Sequence, residues 1–341
     1  MVDVGTNTIA PYFLNIAPWV GLITLLSDDE LRDFATTNVV AQTAVFIVTA
    51  QVPSYVTGIM SWVDLAWPTG LITLGIQTFF NSSADINPWR AALGASLYLF
   101  QGGRMALGAT MMVLSGHMKR DMPRYKYQFL RWEKNHQIKK GSVMFTLMMQ
   151  KEIFMQAVAN MGALVIPGAI ISRGRLGKDL PLCPTELVGL GLWIMSYYIE
   201  NISDLQKVRF IQKMRKEGKR GSTMMEGLWS LSRHPNYLGE FMVWIALSVI
   251  ALPSLRSLMT ASSDHQDQGG EKNIQIVRKV LLPLSLSFCS VSMYYCLTWW
   301  TGAVPSEYFS LKKRKDYINY INKVPMLIPR FREVVSYILQ R

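Results

Sequence analysis

Residues 237–253 read YLGEFMVWIALSVIALP, and Glu240 is the only charged side chain in the run. A membrane crossing takes about 20 mostly apolar residues in helical form, because backbone N–H and C=O groups find no water to pair with in lipid. Seven more windows of this kind lie at about 10–26, 38–60, 65–80, 90–115, 142–166, 183–203 and 279–301. The third is short, opens beside Trp67-Pro68, and is expected to be re-entrant or packed inside the bundle. The pattern predicts an all-α fold, a polytopic transmembrane helical bundle of seven to eight spans.

Composition supports a membrane chain. Half of the 341 residues are hydrophobic, only 17% are charged, and Met (20) and Trp (10) are abundant, a mixture uncommon in soluble domains of this length. The formal charge is nevertheless +12, so the cations must sit outside the apolar windows. They form three groups of eight, in 116–141, 204–236 and 302–341, together 24 of the 35 Lys and Arg. With eight spans all three groups share one side with the N-terminus, while Asp28-Asp29-Glu30 falls on the other. The positive-inside rule makes the basic side, and the C-terminus, cytosolic. The basic loop at Arg173, Arg175 and Lys178 runs against this trend. The segment 257–275 reads as a polar loop. Cys183, Cys289 and Cys296 have no paired spacing, so neither a disulfide nor a metal site is expected. No basic region or cleavage site precedes the first apolar run, and the first helix is expected to be retained. Nothing in the charge pattern calls for nucleic acid; the partners expected are the bilayer and a lipid. The oligomeric state is left open.

The most specific run begins where the sixth window ends. Glu200 and Asp204 are spaced i, i+4, which puts two carboxylates on one helix face at the membrane boundary. After a basic linker comes Gly227-Leu228-Trp229-Ser230-Leu231-Ser232-Arg233-His234-Pro235-Asn236-Tyr237-Leu238-Gly239-Glu240. Pro235 suits the first position of a helix, so Arg233, His234 and Asn236 cluster at its N-terminus, where backbone donors favour an anionic group. Glu240 lies one turn in, on the face of Asn236, and an ionisable residue at such depth is a functional candidate.

Together, Glu200-x-x-x-Asp204-x-Gln206-Lys207, the Gly-Leu-Trp and Ser-Arg-His-Pro-Asn-Tyr-x-Gly-Glu resemble the C-terminal domain of steroid 5-alpha-reductases and the uncharacterised steroid-reductase-like membrane proteins grouped with them. Asp64-Leu65-Ala66-Trp67, Gly103-Arg104, Asp121-Met122-Pro123-Arg124-Tyr125 and Ser306-Glu307 are weaker marks of the same group. The resemblance covers about 60–329, which divides the chain into unassigned N-terminal membrane helices (1–60) and a steroid-reductase-like domain (61–341). It implies an endoplasmic-reticulum-like membrane and NADPH-dependent reduction of a carbon–carbon double bond in a lipid or sterol-like substrate, with a cytosol-facing cofactor pocket. In that pocket Glu200 and Asp204 would hold the adenosine end. Ser232, Arg233, His234 and Asn236 would hold phosphate and nicotinamide, completed by Tyr237, Glu240, Glu307, Tyr317 and Tyr320. Lys207, Arg209, Arg120 or Arg124 would read the 2′-phosphate. The glutamate and tyrosine that polarise the substrate in steroid reductases have no clear counterpart; the nearest candidates are Asp64 and Tyr98.

Two other readings stand beside it. Membrane methyltransferases that act on isoprenylated cysteine or phospholipid headgroups use a similar Arg-His-Pro-x-Tyr-x-Gly segment with S-adenosylmethionine, followed by a Glu-Glu pair; here the pair is Ser306-Glu307. A non-enzymatic scaffold or transporter would need broken helices and midplane charges in matching halves.

Overall fold

The computed structural model describes residues 9–219, 221–260 and 274–339. Helices dominate and no strand occurs among these residues. They are α1 (Ile9–Ser27), α2 (Asp29–Phe46), α3 (Val52–Thr57), α4 (Val63–Phe80), α5 (Pro88–Leu114), α6 (Pro123–His136), α7 (Val143–Gly162), α8 (Ile166–Arg173), α9 (Pro184–Lys216), α10 (Pro235–Thr260), α11 (Leu282–Tyr295), α12 (Ala303–Lys313), α13 (Tyr317–Lys323) and α14 (Phe331–Leu339). Five stretches are long and apolar enough to cross a membrane: Ile9–Ser27, Asp29–Thr57, Val143–Arg173, Pro235–Thr260 and Ile274–Lys313. The chain is a helical membrane bundle.

The other three expected windows are the helices α4, α5 and α9. The second window starts earlier than expected, at Asp29, because Asp28 caps the helix by accepting from the Glu30 N–H at 2.9 Å. The third is one continuous helix packed inside the bundle against α5. Of the expected polar loop, 257–260 and 274–275 are helical, and 261–273 lie outside the described residues.

Contacts place the helix ends at two opposed polar ends. At one end Asp28 and Glu30 pair with Arg278, Glu30 also pairs with Arg175, and the Ser83 N–H donates to Ser172. Arg90 donates to Glu186 at 2.5 and 3.1 Å there, tying α5 to the N-terminus of α9. At the other end Asp64, Arg104, Arg124, Asp204, Arg233 and Glu307 gather. The long helices therefore alternate in direction along the chain, and the described parts of the three cationic groups share the second, basic end.

Hydrophobicity does little to hold helices together where lipid tails are as apolar as leucine; close backbone approach and polar pairs do it instead. At Gly239 of α10 a Cβ would sit 2.6 Å from the Glu200 backbone nitrogen, so the missing side chain lets α9 and α10 touch where the Glu200 carboxylate is held. Between α2, α4 and α7, Gln42 donates to the Gly70 carbonyl at 3.0 Å, and Asn160 donates to Gln42 at 3.1 Å and to the Trp67 carbonyl at 3.3 Å. The core beside this network includes Trp244, Tyr98, Leu71 and Leu74, all fully buried.

Candidate active site

Two sequence features shape the mouth of the basic end. Pro68 has no N–H to give the Asp64 carbonyl, which loosens the first turn of α4 where Asp64 sits. Asp121 accepts from the backbone N–H groups of Met60 and Ser61 at 2.7 and 3.2 Å, and so pins the start of α6 to the start of α4. Arg124 and Tyr125 then both reach Asp64. Arg124 Nη2 donates to Oδ2 at 2.9 Å and the Tyr125 hydroxyl donates to Oδ1 at 2.5 Å.

Beside this trio lies a cavity of about 350 Å³, within the size range of small-molecule sites. Asp64, Arg124, Tyr125, Asp204, Tyr237 and Glu240 supply its polar wall, and Trp67, Met105, Met293 and Leu297 are among its apolar neighbours. Glu240 is buried, and no described residue donates a hydrogen bond to it. Arg124 Nε, Gln156 Nε2 and Asn236 Oδ1 are also buried without a partner. A buried polar group left unmade costs about 1–3 kcal/mol, so such a concentration is what a ligand-binding wall carries.

One layer back, Arg104 of α5 bridges the two α9 carboxylates. It pairs with Glu200 and donates to Asp204 Oδ2 at 3.2 Å, while Gln101 donates to Glu200 at 3.1 Å. The Glu200 side chain is 3% exposed and that of Asp204 44%, so Glu200 is an interior strut and Asp204 faces the cavity. Asn236 donates to the other Asp204 oxygen at 3.1 Å. Neither Lys207 nor Arg209 pairs with these carboxylates or lines the cavity. The Lys207 ammonium lies 4.4 Å over the Trp229 ring, and burial lowers its pKa against the pull of Asp204. Arg209 is exposed beside a separate surface hollow with Gln206 and Met224.

The remaining sequence candidates assemble elsewhere. Arg233 clamps Glu307 through Nε at 2.7 Å and Nη2 at 3.2 Å, and donates to the Ile321 and Val324 carbonyls at 3.1 and 2.6 Å. His234 Nε2 donates to Glu307 at 2.9 Å. Ser232 donates to the Met326 carbonyl, and the Tyr320 hydroxyl donates to the Trp229 carbonyl at 2.5 Å. Tyr317 is buried against Tyr320. These contacts form a knot that fixes 317–327 over the N-terminus of α10, and its donors are spent on the chain itself. Burial lowers the His234 pKa, opposed by Glu307, so the ring is neutral.

Two candidates are corrected outright by position. The Tyr98 hydroxyl donates to the Leu164 carbonyl at 2.6 Å and accepts from the Gly168 N–H at 3.2 Å, inside the core and outside the cavity wall. Arg120 is exposed on a loop and does not line the cavity. Sequence reasoning missed Arg104 and Tyr125 as site residues, although both stand in quoted segments. Their partners are 100 and 61 positions away, beyond any helical periodicity.

The cavity can hold a polar ligand group between cations and carboxylates. A dinucleotide would meet acceptor and hydroxyl positions at Asp204, Tyr237 and Glu240 in the cavity wall, with Arg124 beside them and Asn236 and Arg104 behind Asp204. It does not fit through Ser232, Arg233, His234 and Glu307, whose polar atoms are already paired.

Residues 45–263 match the family described as "Protein of unknown function (DUF1295)". The match spans more than half of the chain, and the chain belongs to this family. It ends before Glu307 and the tail knot, and begins after α1. No curated protein matches the chain. No solved structure matches it.

Proposed function

We propose that the chain is a membrane-embedded NADPH-dependent reductase of a carbon–carbon double bond in a lipid, with the basic end in the cytosol. The observation that carries this reading is Glu240: a carboxyl group at membrane depth, facing a cavity, with no hydrogen-bond donor, beside the Asp204–Asn236 pair. Such a group costs too much to keep unless a ligand or a proton completes it. NADPH, when bound, supplies a hydride. The chain's own residues would do the rest. Asp204 and Asn236 would orient ribose or carboxamide groups at the α9–α10 seam. Arg124 and Tyr125, both held by Asp64, would fix the polar end of the substrate, and Glu240 would hold the proton that the α-carbon takes up as the hydride goes to the β-carbon. The low-dielectric wall strengthens each of these contacts.

The test is cofactor selectivity of the purified protein in detergent. A thermal shift with NADPH and none with S-adenosylmethionine, lost in Glu240→Gln and Asn236→Ala while both variants stay monodisperse, is the expected result. A shift with S-adenosylmethionine alone would replace the reductase with the methyltransferase reading.

A further inference from the structure

Behind the polar cavity lies a second, mostly apolar chamber of about 70 Å³, with Leu14, Pro18, Met155, Ala159, Leu164 and Met293 in its wall. The two spaces share Trp67, Gln156, Met293 and Cys296 as a common partition. The chamber reaches the outer surface of the bundle at Asn15, which is exposed on α1, and at the pair in which Trp300 Nε1 donates to Glu152 at 2.6 Å. Glu152 is an ionisable residue inside an apolar span, a placement that marks a functional pathway by default. Two buried polar atoms in its wall have no partner: Gln156 Nε2 at the partition and the Ser292 hydroxyl. Polar atoms left unpaired in an otherwise apolar wall call for a ligand group or a water to complete them.

From this geometry we infer that the chamber takes the apolar tail of the substrate, and that the tail is a single slender chain, acyl or isoprenoid, entering sideways between α1 and α7. This rests on the reductase reading for the identity of the polar end and not for the path of the tail. The width follows from a fixed contact. At Gly21 a Cβ would sit 1.7 Å from the Gly162 carbonyl oxygen, and at Gly162 a Cβ would sit 1.8 Å from the Pro18 carbonyl oxygen. Backbone therefore meets backbone where α1 crosses α7, and neither side can give way by rotating a side chain. The chamber stops at this crossing. A flat fused-ring body would have to part the two helices, whereas a flexible chain threads the gap with its oxygen function passing Gln156 toward Asp64 and Glu240. Both α1 and the stretch with Met293, Cys296 and Trp300 lie outside the family match at 45–263, so half of the residues that line the chamber come from outside the family region.

The probe is a long-chain primary alcohol with a terminal photoactivatable diazirine, set against a sterol carrying the same group, each added to the purified full-length protein without cofactor. The linear probe is expected to crosslink within 9–27 and 292–300. Ala159→Phe, which fills the chamber, should lower that yield about tenfold, equivalent to about 1.4 kcal/mol of tail binding, while the NADPH thermal shift is retained. Leu14→Trp fills the same space from the opposite wall and serves if Ala159→Phe does not fold. Equal labelling by the sterol probe, labelling confined to other segments, or yields unchanged in both filled variants would overturn the inference. Loss of the NADPH shift in the parent, with crosslinking and its sensitivity to Ala159→Phe intact, would remove the reductase reading and leave the tail site standing.

Discussion

Glu307→Gln separates the two roles open to the tail knot. The resemblance puts Glu307 in a cofactor pocket; in the structure it is the sole carboxylate among the described residues paired with Arg233 and His234, with its side chain 1% exposed. Removing one partner of a buried ion pair costs about 3–5 kcal/mol, because the other charge stays buried. Here the lower figure applies, since Arg233 keeps its bonds to the Ile321 and Val324 carbonyls and the glutamine oxygen still accepts. A loss of about 3 kcal/mol confined to one element multiplies its open population about a hundredfold. Amide hydrogen exchange in 317–327 should accelerate by that factor, while exchange in the middle of α10 and the NADPH shift stay near parental values. Unchanged exchange in 317–327 together with lost NADPH binding would refute the knot and return Glu307 to the cofactor.

Glu200→Gln should lower stability by about 3 kcal/mol through its buried pairing with Arg104, whereas Asp204→Asn should change it by less than about 1 kcal/mol and weaken NADPH by about 1.5–3 kcal/mol; melting and titration on each variant decide. Tyr98→Phe should cost about 1 kcal/mol of stability and leave turnover intact, and a dead but stable variant would restore Tyr98 to the chemistry. The lowered His234 pKa means that unfolding takes up a proton, so its contribution is full above the unfolded value of about 6.5 and is lost as pH falls below it; melting temperature should drop on that side less steeply in His234→Gln. Cysteines introduced at Lys126 and Lys216 should both react with an impermeant reagent from the cytosolic face, and opposite reactivity would break the eight-pass parity.

Hydropathy made the bundle legible because a lipid solvent leaves a long apolar window few alternatives to helix. It could not separate the five spans from α4, α5 and α9, whose polar residues are satisfied by neighbouring helices: Arg90 of α5 pairs with Glu186, and Gln77 of α4 donates to the Phe34 carbonyl, contacts invisible to any window. Within the site, the i, i+4 spacing placed Asp204, and one helical turn placed Glu240 against Asn236. The same local reasoning could not show how Arg233 and His234 are held. A basic pair at a helix N-terminus looks like an anion site until a carboxylate 74 positions away turns out to fill it. Tyr98 was the nearest candidate for the missing tyrosine, yet its helix turns the phenol toward α8 and the core.

The stretch Cys296–Trp300 is a single wide turn, closed by the Thr301 N–H reaching back five residues to the Cys296 carbonyl at 3.0 Å. A turn of this kind carries one residue more than an α-helix would use over the same rise. Everything downstream, Gly302, α12 and the Glu307 carboxylate, owes its bearing to that extra residue. Removing one residue from the turn would rotate the following chain by about 100°, carrying Glu307 off Arg233 and re-aiming the wall at Thr301 and Gly302. The shape of the cavity wall is thus coupled to residue number as well as residue type. A residue inserted or deleted at Thr298 or Trp299, neither of which lines the cavity, would reshape that wall without replacing a lining side chain.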